Sequence, residues 1–553
     1  KMAGGLNAAL NSGRTSLQTN QKAIEVTGLN IANVHTEGYS RQTPNLTPYP
    51  ALNFGDSFIG TGVTVGSIER SHDVFLDGQI KDKSAEFGLE NSMINTLAEL
   101  ERSVGIGDGS LSDEFDQFFD SWRQLSTNPG GEIERQQVLQ RGELISNSFV
   151  NVYNETQQVV KNINNTIVSK IDGVNLALDE IAQLNNRISS LELAGQDANS
   201  DRDRRDLLLK NLSETVGARS FETSNGTVSV QLANGMPLVE GDRATHIVGT
   251  YDGTDVNLEL DFGTADLQLD RTALGGEFRG LYDVRDVTIP DVVNRLDQLA
   301  YTFATEVNAQ HQQGTNLNGT VGQAFFIFFS PHTSQNYAAY AAANFGTGDI
   351  QLSVGGTQTT VTIDGTNNSV NGMVAAINAS GANVTASVDP TDNSLIITPN
   401  NAGENVLIDS SGLSGGTYAR TVFTFSGMSS SLSMNVTTTN QIAAGTSSAP
   451  GDNTNSLAIL QLEQKQSLGN DTFVSYYGKI SATIGVEAAR NRQAKQGFED
   501  SLIQLQNLRD GIDGVSLEDE MINLLQYQKG FEASAKFLST VDEMMGTLLT
   551  FKR

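Results

Sequence analysis

The chain has 553 residues, no cysteine and a formal net charge of −29, with 64 acidic against 35 basic side chains. Its length predicts several domains, its charge excludes a phosphate-binding groove as the main surface, and the missing thiols exclude disulfides and thiolate metal sites. No run approaches the roughly 18 apolar residues of a membrane helix, and the stretch from Lys1 to Ser12 lacks the apolar core and cleavage site of a signal peptide.

Near the N-terminal end Leu6, Leu10, Gly13, Leu17, Asn20, Ile24, Thr27, Ile31 and Val34 fall at alternating steps of four and three. That spacing predicts a helix with one narrow apolar seam, suited to packing on another helix. The seam is weak. At about 1.5–3 kcal/mol for each fully buried large apolar side chain, it hardly offsets the entropy of ordering the segment, so the helix needs several neighbours. The run from His35 to Tyr39 breaks the pattern, with Gly38 able to supply a left-handed turn. Residues 62–68 alternate as a hairpin strand does.

From about Phe75 to Val216 helix is expected. Ser112, Asp113 and Glu114 supply an N-cap and acidic first turn before a stripe of Phe115, Phe118, Phe119, Trp122 and Leu125, which Asn128-Pro129-Gly130 ends. A longer helix keeps steps of three and four from Ile163 to Leu191. The charges among residues 197–206 predict a solvated, ion-paired helix start. Strands are expected at 227–232 and 257–260, then helix at 289–311.

Residues 314–450 shift to Gly, Ser, Thr and Asn. Short strands at 349–354, 359–363, 383–388 and 395–398, with a helix at 370–379, predict an inserted module with its own core; partial disorder is the alternative. Helix returns from Ser456 to the end, broken at residues 511–514, and Ser516-Leu517-Glu518-Asp519 opens the last helix as a capping box does. Its seam is Leu517, Met521, Leu524, Gln528, Phe531, Ala535, Leu538, Asp542, Met545 and Leu549.

The fold class is therefore α+β multidomain: terminal coiled-coil-like helices, a long helical-bundle stem and inserted, mainly β domains. The expected segments are an assembly helix with linker (1–60), stem (61–217), a small β subdomain (218–275), a stem helix (276–313), the β-rich insert (314–455), stem again (456–512) and a second assembly helix (513–553). The assembly interface is expected at Leu6, Leu10, Leu17, Ile24, Ile31 and Val34, and at Leu517, Met521, Leu524, Phe531, Ala535, Leu538, Met545 and Leu549.

Catalytic chemistry finds little support. His35, His72, His246, His311 and His332 never take metal-ligand spacing, and no HExxH or phosphate loop occurs. Gly412-Leu413-Ser414-Gly415-Gly416 matches the GxSxG elbow, but its Ser/Gly-rich setting predicts a plain turn rather than the strand–turn–helix that a nucleophile needs.

The motif Gly28-Leu29-Asn30-Ile31-Ala32-Asn33, followed by Thr36-Glu37-Gly38-Tyr39-Ser40-Arg41-Gln42, resembles the N-terminal signature of the axial proteins of the bacterial flagellum. GVSLEDEM at 514–521, with Tyr527-Gln528 and Ala533-Ser534-Ala535, resembles their C-terminal signature; Phe531 stands where many relatives have tyrosine. FFDSWRQLSTNP at 118–129, DRRDLLLKNLSE at 203–214 and GGEFRGLYDVRD at 275–286 are similar to the hook–filament junction members of that family. So are LDQLAYTFATEVNAQHQQG at 296–314 and GDNTNSLAILQL at 451–462, whereas residues 370–399 resemble a motif shared with the variable domains of flagellins.

The resemblance implies a structural role, with no enzyme activity, no cofactor and no metal. It implies family-signature roles for Asn30, Asn33, Gly38, Tyr39 and Arg41. Export through the flagellar type III apparatus by an uncleaved N-terminal region is implied, with a cytosolic chaperone on the C-terminal helix. The expected destination is extracellular, as a ring of copies between the hook protein and the next junction protein, with no nucleic acid and no membrane insertion. A rival reading displays the insert as a carbohydrate-binding or hydrolytic module on a flagellar stem; hook protein and flagellin are nearer rivals, which the motifs at 118–129 and 275–314 oppose.

Overall fold

The computed structural model describes the chain apart from Lys1, residues 54–57, 224–225, 253–254, 264–265, 329–345, 355–356, 389–394, 401–405, 410–426, Pro450 and 551–553, with the backbone alone at some neighbouring positions. Its helices are α1 (Met2–Ala32), α2 (Val74–Ser103), α3 (Leu111–Thr127), α4 (Glu132–Leu193), α5 (Asn199–Val216) and α6 (Gly276–Asp283), then α7 (Ile289–His311), α8 (Val370–Ala379), α9 (Met428–Ser431), α10 (Thr454–Gln461), α11 (Phe473–Ile512) and α12 (Leu517–Thr550). Small antiparallel sheets lie between them, so the fold is α+β and mainly helical. The chain forms two compact units, one of Lys1–Asn95, Ile163–Asp283 and Ala489–Arg553, the other of Thr96–Asn162 and Val284–Ala488.

In the first unit α1 lies between α12 and a hairpin of strands Gln42–Pro48 and Val63–Arg70. Gly38 takes φ +81, the left-handed turn its sequence predicted, and a Cβ there would meet the Leu207 side chain at 3.3 Å. The first-unit parts of α2 and α11 are joined by reciprocal cation–π contacts: Lys83 sits 5.1 Å from the Phe498 ring and Lys495 5.6 Å from Phe87. Two small sheets follow α5, one of four strands between Arg219 and Ala244 and one of three between His246 and Leu269. Val228, Val230, Val256, Leu258 and Leu260 are buried at period two, as half-buried strands require. Asparagines of α4 tie these sheets down. Asn185 donates to Val228 O at 2.8 Å and accepts from Val228 N at 3.0 Å, while Asn175 does the same for Ile247 at 2.8 and 2.9 Å.

The second unit is built on an aromatic core. Phe115, Phe118, Phe119 and Trp122 of α3 meet Phe303 of α7, Phe325 and Phe326, with ring centroids as close as 5.0 Å for Phe115 and Phe303. The predicted α3 stripe is therefore core. Its N-cap is Ser110 rather than Ser112, because the helix starts one residue before the predicted cap. The expected unbroken helix from Ser456 also fails: α10 ends at Gln461 and α11 begins at Phe473, with Gly469 at φ +68 in the turn between them. Before α7 the chain makes a π turn at Val284–Thr288, which the sequence did not announce.

The insert's strands and α8 fall where alternation placed them, with one further strand at Val406–Asp409. Ile350, Leu352, Val361, Ile363, Val370, Met373, Ile377 and Ile397 close a core made of insert residues alone. Its two legs are neighbours: strand Phe326–Phe328 pairs antiparallel with Leu432–Met434. Asn308 of α7 accepts from Phe325 N at 2.7 Å and Phe326 N at 2.8 Å. Asp297, one helix stretch earlier, accepts from Gly427 N at 2.9 Å and from Ser429 N at 2.7 Å.

Candidate assembly site

The terminal helices meet along a strip of small residues. Gly13 lies against Leu538, where a Cβ would come 2.9 Å from the leucine side chain, and Gly530 lies against Asn20, where a Cβ would come 2.6 Å from the amide oxygen. Between them Ser16 Oγ and Ser534 Oγ stand 2.9 Å apart. Residue numbers rise along α1 as they fall along α12, so the pair is antiparallel and closely approached.

Of the expected interface residues, Leu6, Leu10, Leu17, Ile24, Ile31, Leu524, Phe531, Ala535, Leu538 and Met545 are half-buried in the single chain, and Val34 is half-buried just beyond α1. Leu517 and Met521 are instead exposed at 43% and 59%, beside exposed Ile522 and Leu525. The side chain of Leu549 lies outside the described residues. The face of α12 turned to α1 thus contains Glu520, Gly530, Ser534 and Val541, which an apolar heptad reading passes over; the signal that marks it is the Gly530-x-x-x-Ser534 spacing opposite Gly13 and Ser16.

At the body end of this pair the two sequence signatures form one polar clasp. Asn30, 1% exposed, donates to Gln42 O at 2.8 Å and to Glu520 Oε2 at 3.1 Å, and its Oδ1 accepts from Gln42 N at 3.0 Å and from the Tyr39 hydroxyl at 2.8 Å. Arg41 Nε donates to Glu520 Oε1 at 2.8 Å, and Arg41 N donates to Asp513 O at 2.8 Å. Burial, then the Asp203 and Glu520 carboxylates, push the Tyr39 hydroxyl up to about 12, so it remains a donor. Asn33 works locally, donating to Leu29 O at 3.0 Å and accepting from Thr36 Oγ1 at 3.1 Å to round off α1.

Two aspartates of α5 brace the N-terminal part of the clasp. Asp203 accepts from Ser40 N at 3.1 Å and from Arg70 at 2.9 Å, and Arg70 also reaches Asp206 at 2.7 Å. Burial is the strongest influence on Asp206 and pushes its carboxyl up, but Arg70, Lys81 and His72 outweigh it and hold the group below the usual range. The acidic run thus divides: Arg202 and Arg204 form the expected surface ion pairs with Glu192 and Glu180, while Asp203 is a buried partner of the N-terminal signature, a role that needs the tertiary fold.

Among the described residues no cluster of His, Asp or Glu could hold a metal ion, and no helix is long and apolar enough to cross a membrane. The GxSxG match at 412–416 and His332 lie outside the described residues. His246 pairs with Asp179 at 2.9 Å, and His311 is core.

Residues 97–326 match the family model described as the flagellar hook-associated protein FlgK helical domain, and residues 513–551 match the flagellar basal body rod FlgEFG protein C-terminal model. Flagellar hook-associated protein 1 of Salmonella typhimurium is 25% identical over 568 aligned residues, covering 99% of this chain and all of that protein. The chain resembles flagellar hook-associated protein 1 from end to end. The Escherichia coli protein of that name is 24% identical, again over 99% of this chain and 100% of its own, and the Bacillus subtilis one 23% over 98% and 97%. The flagellar hook junction protein FlgK from Burkholderia pseudomallei shares the fold, at a TM-score of 0.59 and 18% identity over 79% of this chain and 100% of that one. The clasp residues thus fall in or beside the rod-type C-terminal segment and in the N-terminal signature, outside the FlgK-type helical domain.

Proposed function

We propose that this chain is the structural subunit that joins the flagellar hook to the filament. The observation that carries the reading is full-length similarity to hook-associated protein 1, combined with a chain that brings its two terminal signatures together on one antiparallel helix pair. Copies assemble as a ring through the paired ends, segments 1–60 and 513–553. The half-buried seam of Leu6, Leu10, Leu17, Ile24, Ile31, Val34, Leu524, Phe531, Ala535, Leu538 and Met545 holds the pair, with Leu549 continuing its spacing. Exposed Leu517 and Met521 face neighbouring copies. Segments 61–217, 276–313 and 456–512 serve as the stem, and 218–275 and 314–455 as β appendages.

The chain travels through the type III export apparatus, held beforehand by a cytosolic chaperone at the C-terminal helix. Outside the cell it contacts the hook protein on one side and the next junction protein on the other. Its work is mechanical and needs no cofactor. Immunogold labelling of intact flagella tests the reading. A single band at the distal end of the hook is expected, and label spread along hook or filament would overturn it.

A further inference from the structure

Terminal pairing poses a problem of register. Apolar positions on α12 recur at steps of four and three, so sliding it one heptad sets Met545 where Leu538 now sits against Gly13. At that point the strip of small residues does not exclude the shift by size, although the same slide sets Phe537 in place of Gly530 against Asn20, where a Cβ would already come within 2.6 Å. Seams of this kind are permissive, and a single buried polar group is the best-attested device for fixing them.

Glu520 is such a group. Its side chain is 2% exposed, and its two oxygens are taken by different partners, Oε1 by Arg41 and Oε2 by Asn30. Asn30 is itself fixed on both atoms by Gln42 and Tyr39, so it cannot follow a sliding helix. One heptad further on, the position of Glu520 would be filled by Tyr527, which offers no carboxylate, so Asn30 keeps only Gln42 O as acceptor and Arg41 loses its charged partner. A buried donor deprived of one acceptor opposes the slip by about 1–3 kcal/mol.

We propose that Glu520 is the register-determining residue of the α1–α12 pair, acting through Asn30 and Arg41, so that every copy presents the same terminal surface to its neighbours. This rests on the junction reading above, but its test does not.

The chain has no cysteine, so introduced pairs report register without background. Ser16→Cys with Ser534→Cys reads the native alignment, since these oxygens are 2.9 Å apart. Ser16→Cys with Val541→Cys reads a one-heptad slip, which lies about 10 Å away along the helix and outside disulfide reach. With Asn30 and Glu520 intact, the native pair should oxidise roughly tenfold or more above the slipped pair. In Asn30→Leu/Glu520→Leu that ratio should fall several-fold while circular dichroism keeps the helical signal. An unchanged ratio in that variant overturns the proposal. Should it lose helicity, Glu520→Gln decides by the same ratio, since it keeps the volume and loses one acceptor; a ratio equal to wild type overturns the proposal there too. Complementation separates the two readings: a slipped pair that still attaches filaments leaves the register role standing and removes the functional need for paired ends.

Discussion

At the scale of single residues, the second unit holds two buried titratable groups on α7 that oppose one another. His311 is fully buried, with Nδ1 donating to Gln323 O at 2.6 Å and Nε2 accepting from Ala443 N at 2.9 Å, and the second bond requires the neutral ring. Burial, the largest influence, holds its pKa down to about 4, against 6.5 unfolded. That stability is present above 6.5 and lost as pH falls through about 4. Asp297 runs the other way: burial raises it to about 6 from 3.8, so stability appears as pH falls below 6 and is lost as pH rises through it. Each shift corresponds to about 3 kcal/mol, so between pH 6 and 4 they nearly cancel. Urea unfolding of His311→Gln at pH 7 and 4.5 should therefore show stability rising on acidification relative to wild type, and Asp297→Asn should show it falling. A second prediction concerns Arg135, 2% exposed, which donates to Pro129 O, Thr439 O and Ile442 O at 2.7, 3.0 and 2.8 Å. Arg135→Ala leaves those buried carbonyls unpaired and should cost about 3 kcal/mol or more in thermal or urea unfolding.

Among elements, the terminal pair is where close approach governs. Gly13→Leu would force an isobutyl group into Leu538 and Phe537, whereas Leu538→Asp would set a carboxylate against the same spot. Each should cost about 1–3 kcal/mol or more of pairing, and hydrogen exchange should show it as lost protection of α1 with α4 unaffected. Equal loss across α4 would mean that the pair and the stem unfold as one. This seam also shows what the sequence could carry. Heptad steps located both helices, and alternation located the insert's strands, because these patterns are local. The rotation of α12 was hidden because a pattern of large apolar residues ignores the glycines and serines that let backbones approach. The Asp203–Ser40 bond and the Asn30–Glu520 clasp were hidden for another reason: their partners are 163 and 490 residues apart. Signature motifs marked Asn30, Tyr39 and Arg41 as special without saying what they touch.

Over the whole molecule, the insert leaves and rejoins the second unit through adjacent strands, held by Asn308 and Asp297 of α7. Replacing residues 329–426 with a short Gly/Ser linker therefore closes a gap that is already narrow, and loop entropy changes by only about 0.6 kcal/mol per doubling of length. The shortened chain should fold and be secreted, and should restore filament attachment in a strain lacking the protein, scored in electron micrographs. Secreted protein with bare hooks would show that the insert takes part in the joint.

The antiparallel course of α1 and α12 has a consequence for the chain as a topological object. Gly13 faces Leu538, so the beginning of α1 and the end of α12 come out side by side, far from the clasp. A few added residues could splice them into a continuous helical hairpin, with fresh ends cut at an exposed turn elsewhere. Such a rearranged chain would keep the internal contacts described above while tying α1 and α12 together at that tip. Comparing its attachment of filaments with that of the parent would separate what the helices do by packing from what they do by being free to part there.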